Sequence, residues 1–215
     1  MRRRILWLAT LIGYIGYGAG GAVFVLVLLP LSVVCLPLPR LRRRVLARMS
    51  HVFAWFLTRV YLPVLGLYRV AEVSGFDDAP AAGARVYVAN HRGRLDALLL
   101  MGVLEHAGVV IKQKYARLPL YSSLVRHLDF ISVDPSSLDS LSAAIDRCRD
   151  VLGQGKSLIV FPEGSRAADG RLLPFKDIGF RVAMAVGVPV VPVIVHSDLP
   201  FMAKVAGSHF PPRRF

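Results

Sequence analysis

The sequence predicts an α/β protein: a mostly parallel sheet flanked by helices, with an N-terminal membrane-embedded helical segment. Three observations predict it. From Val86 onward, short β-branched runs alternate with stretches of helical periodicity, the order that winds strands in parallel. A reactive pair, His91 and Asp96, stands at the first strand-to-helix junction, where open α/β sheets place their ligands. Residues Ile5 to Pro39 carry no charge at all, a run of 35 residues.

The charge-free run comes first. A straight helix needs about 20 residues to cross hydrocarbon, so the run exceeds one perpendicular span and falls short of two. Gly13, Gly16, Gly18, Gly20 and Gly21 are expected to loosen its first half, and Pro30, Pro37 and Pro39 to break its end. Arg2, Arg3 and Arg4 flank one side and Arg40, Arg42, Arg43 and Arg44 the other, so loop charge sets no orientation. A tilted span and a shallow hairpin both fit. A cleaved signal peptide fits less well, because its apolar core would be shorter and no small-residue cleavage site follows. Val45, Met49, Val52, Phe53, Phe56 and Val60 recur at helical spacing and predict an amphipathic helix lying on the membrane or packed on the rest of the chain. The expected division is an anchor and amphipathic helix over residues 1–69 and a catalytic domain over 70–215.

Arg85 to Ala89 reads as a short buried strand, and Asp96 through His106 as a helix filled by Leu98, Leu99, Met101 and Leu104, with Gly108 as its stop. Val109 to Ile111 and Phe130 to Val133 read as strands. Ser136 or Ser137 can cap a helix whose apolar stripe is Leu138, Leu141, Ile145, Cys148 and Leu152, ended by Gly153 and Gly155. Ser157 to Phe161 is a buried strand, Arg181 to Val186 a helix stopped by Gly187, and Val188 to Val195 a strand whose Pro189 and Pro192 suit an edge. The end of the chain, Pro211 to Phe215, is expected to fray.

The formal net charge is +13, and it is uneven: no acid precedes Glu72, while ten arginines do. Basic charge that borders an apolar segment suits a membrane with anionic headgroups and not nucleic acid. Cys35 and Cys148 read as free thiols of a reducing compartment.

The chemistry follows from spacing. Five residues on a helix turn a side chain through about 140°, so His91 and Asp96 meet only if the chain turns between them, as Gly93 allows. His91 then sits on the loop after a strand and Asp96 in the first turn of the next helix. The carboxylate can fix one ring nitrogen and leave the other as a general base. Without such a turn the two are a loop histidine and a helix-capping aspartate. The second island, Phe161-Pro162-Glu163-Gly164-Ser165-Arg166, offers a glycine turn with a carboxylate and a guanidinium, fit for a polar or anionic substrate.

These two islands, with Val188 to Val193, resemble three of the four sequence blocks of the lysophosphatidic acid acyltransferase (1-acyl-glycerol-3-phosphate acyltransferase) family, part of the wider glycerolipid acyltransferase group. The resemblance runs from about Val70 to His196. It implies transfer of a fatty acyl group from a thioester, acyl-CoA or acyl carrier protein, to the hydroxyl of a lysolipid acceptor such as lysophosphatidate. His91 matches the catalytic base and Asp96 its orienting acid. Glu163, Gly164 and Arg166 match the acceptor-binding block, with Ser165 beside them. The family's second block ends in an arginine thought to hold the acceptor phosphate, and this chain has Val133 there, with His127 at the block's glycine position. Lys112, Lys114, Arg117 and Arg126 are candidate replacements; Lys112 and Arg126 are taken with Glu163, Gly164, Ser165 and Arg166 as the substrate-binding set. A second departure is Phe175-Lys176-Asp177-Ile178-Gly179, where the family's glycine follows the lysine sooner.

The resemblance and the anchor together imply a cytoplasmic (inner) membrane enzyme whose active site faces the cytoplasm, with no cofactor and no metal site. Val133 leaves open an acceptor without a phosphomonoester, such as an aminoacyl lysolipid. A hydrolase on the same pair, and a non-catalytic lipid-binding membrane protein, are the other readings. A serine nucleophile at Ser165 lacks the elbow that such a residue needs.

Overall fold

The computed structural model describes residues 2–35, 38–67, 70, 72–75, 83–104, 107–166 and 171–196. Five parallel strands, β1 (Val86–Ala89), β2 (Ala107–Lys112), β3 (Phe130–Val133), β4 (Ser157–Val160) and β5 (Val190–Val193), form one sheet in the order β3-β2-β4-β1-β5. The frayed end expected for Pro211 to Phe215 lies outside the described residues, as do Pro37 and His106.

The charge-free run does not loosen. α1 (Arg2–Val23) is continuous through all five of its glycines, passes through a π turn at Phe24–Leu28, and continues as α2 (Leu29–Cys35). The chain returns as α3 (Pro39–Phe56), a second π turn at Leu57–Tyr61, and α4 (Leu62–Val64). The two arms pack antiparallel. A side chain on Gly16 would run into the Tyr61 ring and one on Gly20 into Phe53, while Tyr61 Oη donates to the Ile12 carbonyl at 2.8 Å. The glycines are therefore contact points for close helix approach, the use that apolar helices commonly make of small residues. Each π turn stands just ahead of a proline, Pro30 and Pro63. A proline lacks the amide hydrogen and crowds the carbonyl four residues back, and a widened turn relieves both.

The buried face of α3 differs from the predicted stripe. Leu46, Ser50, Ala54, Leu57 and Thr58 face inward, whereas Val52, Phe56 and Val60 are exposed beside Trp55. Small residues won because α3 lies tight against α5 (Asp96–Met101): Gly102 sits against the Trp55 backbone, and His51 Nδ1 meets the Met101 carbonyl at 2.8 Å. This helix is shorter than expected, ending at Met101 with Gly102 as its cap residue. Gly108 is not a stop but part of β2, where a side chain would strike the Asp129 carbonyl.

Two helices had no sequence expectation, α6 (Gln113–Ala116) and α7 (Pro119–His127). α8 (Leu138–Gly153) is capped by Ser137, whose hydroxyl accepts from Ser140 N at 3.2 Å. Its buried stripe is Ala144, Cys148, Val151 and Leu152, whereas Leu138, at the first position, is 84% exposed. α9 (Ile178–Val186) starts three residues earlier than predicted and ends on left-handed Gly187. The last strand is confined to Val190–Val193 and is an edge strand, as its proline suggested.

The core has two layers, one on each face of the sheet. On one face Val86, Val88, Ile131, Leu158 and Val160 pack against α8 and α9. On the other, Tyr87, Ala89, Val109, Phe130 and Ile159 pack with Leu100, Met101 and also with Phe24, Leu29, Leu46 and Ala54 of the helical arms. The core thus crosses from the first 69 residues into the rest.

Candidate active site

Register assembles the site. β1 and β4 are neighbours with Val88 opposite Val160, so His91 and Glu163 each stand three residues further on, side by side past the C-terminal edge. His91 Nδ1 lies 2.9 Å from Asp96 Oδ2. The same oxygen accepts from Arg92 N at 2.6 Å and from Gly93 N at 2.8 Å. Three donors on one oxygen close the turn between His91 and Asp96 and satisfy a carboxylate that is only 2% exposed. With the proton on Nδ1, the Nε2 lone pair is left for substrate. The imidazole also stacks on Phe161, centroid to centroid 4.4 Å at 29°.

Glu163 is buried and holds the scaffold with both oxygens. Oε1 accepts from His91 N and Oε2 from Leu173 N, each at 2.8 Å. This carboxylate locks the histidine loop to the second island and to the segment that follows it. Gly164 turns with φ +62, a left-handed conformation that favours glycine, and a Cβ there would sit 3.4 Å from Lys176 Nζ. Asn90 clasps Val195 with both ends of its amide, Nδ2 to the carbonyl at 3.0 Å and Oδ1 from the amide at 2.6 Å.

Ser165 and Arg166 continue the Gly164 turn, both partly buried. Burial, and after it the charge of Arg94, push the Arg166 guanidinium below its ordinary value. Arg94 projects from the turn between His91 and Asp96 and is exposed. Leu95 of the same turn is buried against Tyr14 and Tyr17 of α1, so α1 walls that side of the site, and the charges of Arg94 and Arg166 act on Tyr14. Tyr17 Oη and Tyr121 Oη, 3.2 Å apart, tie that wall to α7, whose Tyr121 packs on Tyr115 of α6 at 5.8 Å.

His91, Asp96, Glu163 and Gly164 are therefore drawn together, with Ser165 and Arg166 on the same turn. Lys112 closes β2 at the same edge, directly opposite Val133. Val133 packs with the α8–α9 face, so strand alternation starts the Lys112 side chain on the face away from the His91–Phe161 stack. Arg126 does not join the site. It lies in the last turn of α7, which leads into the opposite, N-terminal edge of the sheet, and donates to Ser122 Oγ at 3.2 Å. Its charge acts on His127 there together with Arg42 and Arg43. Sequence distance gave no sign that α7 would carry it away. Two cations outside that substrate-binding set lie on or beside the two islands: Arg94 on the turn that carries the histidine, and Lys176, whose amine a Cβ on Gly164 would meet at 3.4 Å; Arg94 occupied a position of the first island that the resemblance left unspecified.

Comparisons with known proteins point to one family. The family model described as acyltransferase matches residues 70–196. A 1-acyl-sn-glycerol-3-phosphate acyltransferase alpha of Homo sapiens is 31% identical over 81% of this chain and 61% of its own length. A 1-acyl-sn-glycerol-3-phosphate acyltransferase of Cocos nucifera is 29% identical over 77% of this chain and 52% of its own. The chain spans about half the length of the curated relatives it matches. Among solved structures, the 1-acyl-sn-glycerophosphate acyltransferase PlsC of Thermotoga maritima has the same fold, with a TM-score of 0.65 at 24% identity over 89% of this chain and 74% of that one.

Proposed function

The chain belongs to the acyltransferase family, and from that premise we propose that it moves a fatty acyl group from a thioester to the hydroxyl of a lysophospholipid, with His91 as general base. One observation carries the reading: His91 is held by Asp96 through Nδ1 and by Glu163 through its backbone amide, so that Nε2 is fixed and available. The acceptor hydroxyl gives its proton to Nε2 as its oxygen attacks the thioester carbonyl. Asp96 stabilises the imidazolium. The tetrahedral intermediate collapses with cleavage of the C–S bond, and the departing sulfur takes the proton back from His91, so no acyl-enzyme is required. Glu163, with both oxygens on backbone amides, positions the base; Arg166, on the next turn, suits the acceptor's headgroup. The donor is acyl-CoA or acyl carrier protein, and the acceptor is of the lysophosphatidate class.

The helical hairpin supports attachment to a membrane. Trp7–Val34 is long and apolar enough to cross one. Yet this arm packs along the sheet through Phe24 and Leu29 and touches α7 at Gly21, where a side chain would meet Leu120. A perpendicular span would drag the sheet into hydrocarbon, so we read the hairpin as lying in the cytoplasmic leaflet. Exposed Leu8, Leu11, Leu26, Val34, Trp55, Phe56 and Val64 then face lipid, and the arginines of α3 meet anionic headgroups. In this reading the enzyme sits on the inner membrane with its site toward the cytoplasm.

A panel of lysolipid acceptors, assayed with labelled acyl-CoA and acyl carrier protein, tests the reading. Transfer is expected to one or more lysophospholipids, and His91→Ala should abolish it while the protein still folds and sediments with membranes. Undiminished transfer by that variant ends the base assignment. Val133, which packs with apolar neighbours and carries no charge, favours a second reading with an aminoacyl lysolipid acceptor, and the same panel separates the two.

A further inference from the structure

We propose that Arg94 is the residue that selects an anionic acceptor: with Arg166 it forms a guanidinium pair that grips the phosphate-class headgroup of the lysolipid beside His91. The proposal rests on the acyl-transfer reading above and names the group that would set its acceptor class.

The backbone under Arg94 is fixed. Asp96 Oδ2 holds the amides of Arg92 and Gly93 at 2.6 and 2.8 Å, so the Arg94 root emerges from a closed turn three residues beyond the base. Its neighbour Leu95 is buried against Tyr14 and Tyr17, so the turn faces the α1 wall, and the charge of Arg94 acts on both tyrosines. It is also the strongest charge acting on Arg166, outweighing Asp96 there. Two guanidinium groups that converge on one cleft repel each other, and an anion between them turns the repulsion into two charge-assisted contacts. Among the described residues no carboxylate forms an ion pair with Arg94, although Asp96, two positions on, is bound instead by His91 and the turn. Lys176, whose amine lies against Gly164, adds positive charge beside the turn that carries Arg166. Meanwhile Val133 offers a phosphate nothing, and its strand neighbour Lys112 starts from the other face of the sheet. The demand for a cation beside the base thus falls on the turn that carries the base.

The test compares wild type, Arg94→Ala and Arg94→Lys with two acceptors of equal acyl length, a lysophosphatidate and a neutral monoacylglycerol. Arg94→Ala should raise the KM for lysophosphatidate roughly tenfold to a hundredfold, with kcat changed far less, and leave the monoacylglycerol KM unaltered. Arg94→Lys should recover part of the loss, since a point charge replaces a fork. Equal effects on both acceptors, or a raised KM for the acyl thioester in place of the acceptor, overturn the proposal. A second measurement separates it from the transfer reading. His91→Ala protein, alone and combined with Arg94→Ala, is titrated in detergent with lysophosphatidate by calorimetry, with inorganic phosphate as a competitor. Binding that depends on Arg94 sustains the proposal even if no acceptor is ever acylated, and binding indifferent to Arg94 sinks it even if transfer is demonstrated. Phosphate displacing the lysolipid at equal concentration would reassign the pair to a free anion and overturn the lipid-selecting role.

Discussion

Asp96 and Asp129 stand at opposite edges of one sheet and are satisfied in opposite ways. Every partner of Asp96 Oδ2 comes from within six residues: a ring nitrogen and two amides, all within 2.9 Å. Asp129 gathers cations from three distant elements, Lys156 at 2.6 Å and Arg43 and Arg147 at 3.8 Å, and its Oδ1 has no hydrogen bond. The first arrangement fixes one ring to a fraction of an ångström. The second tolerates looseness while tying α3, α8 and the approach to β4 together. The lesson is that one charge type can fix a single ring where its partners are local and rigid, and join distant elements where they are long, flexible and far apart in sequence.

Substitutions sharpen or break this contrast. The largest effect is expected for Asp96→Asn, which keeps the shape but loses the charge opposite the imidazolium. Its kcat should fall about a hundredfold or more, with acceptor KM little changed in steady-state assays; near-normal turnover would remove Asp96 from the reaction. Glu163→Gln comes next. An amide nitrogen must face either His91 N or Leu173 N, both donors. Stability should drop by about 1–3 kcal/mol in denaturant titration, with a smaller loss of kcat per folded molecule. Asp129→Asn should cost about 1 kcal/mol, since two of its ion pairs are loose and partly exposed. Turnover per folded molecule should stay intact, and a loss matching that of Asp96→Asn would erase the distinction between the two edges.

The smallest effect concerns pH. Burial, and then the charges of Arg126, Arg42 and Arg43, hold His127 below its ordinary value of 6.5. Protonation is therefore penalised in the folded state, the unfolded chain binds more protons just under that value, and stability declines as pH falls from 6.5. Melting curves between neutrality and mild acid should show a shallow slope that His127→Gln flattens. An unchanged slope would assign the acid sensitivity elsewhere.

What could be read from the chain divides along the same line. His91, Asp96 and Gly93 were legible because their geometry is local, and Glu163 because a strand of known length delivers it to the same edge. The parallel sheet was legible from alternation. Arg126 was misplaced because its position depends on α7, a helix with no clear signal, running back to the far edge. On α3 periodicity found the apolar stripe but not the inward face: Val52, Phe56 and Val60 stand exposed, and close contact with α5 favours Ser50 and Ala54 inward. Gly108 looked like punctuation, and only the passage of Asp129 beside β2 explains it. Arg94 was overlooked because a turn's variable positions carry no pattern, although the turn itself aims them.

Phe24 and Leu29 pack with Tyr87, Val109 and Ile159, so a helical arm made before any of the five strands completes a layer whose last strand is made far later. At about 5–20 residues per second the interval is on the order of ten seconds. Throughout it the nascent helix presents an oily flank that nothing in the chain can yet cover. Synthesis of this protein must therefore shelter that flank, by early partition into lipid or by a chaperone, before any strand exists to receive it.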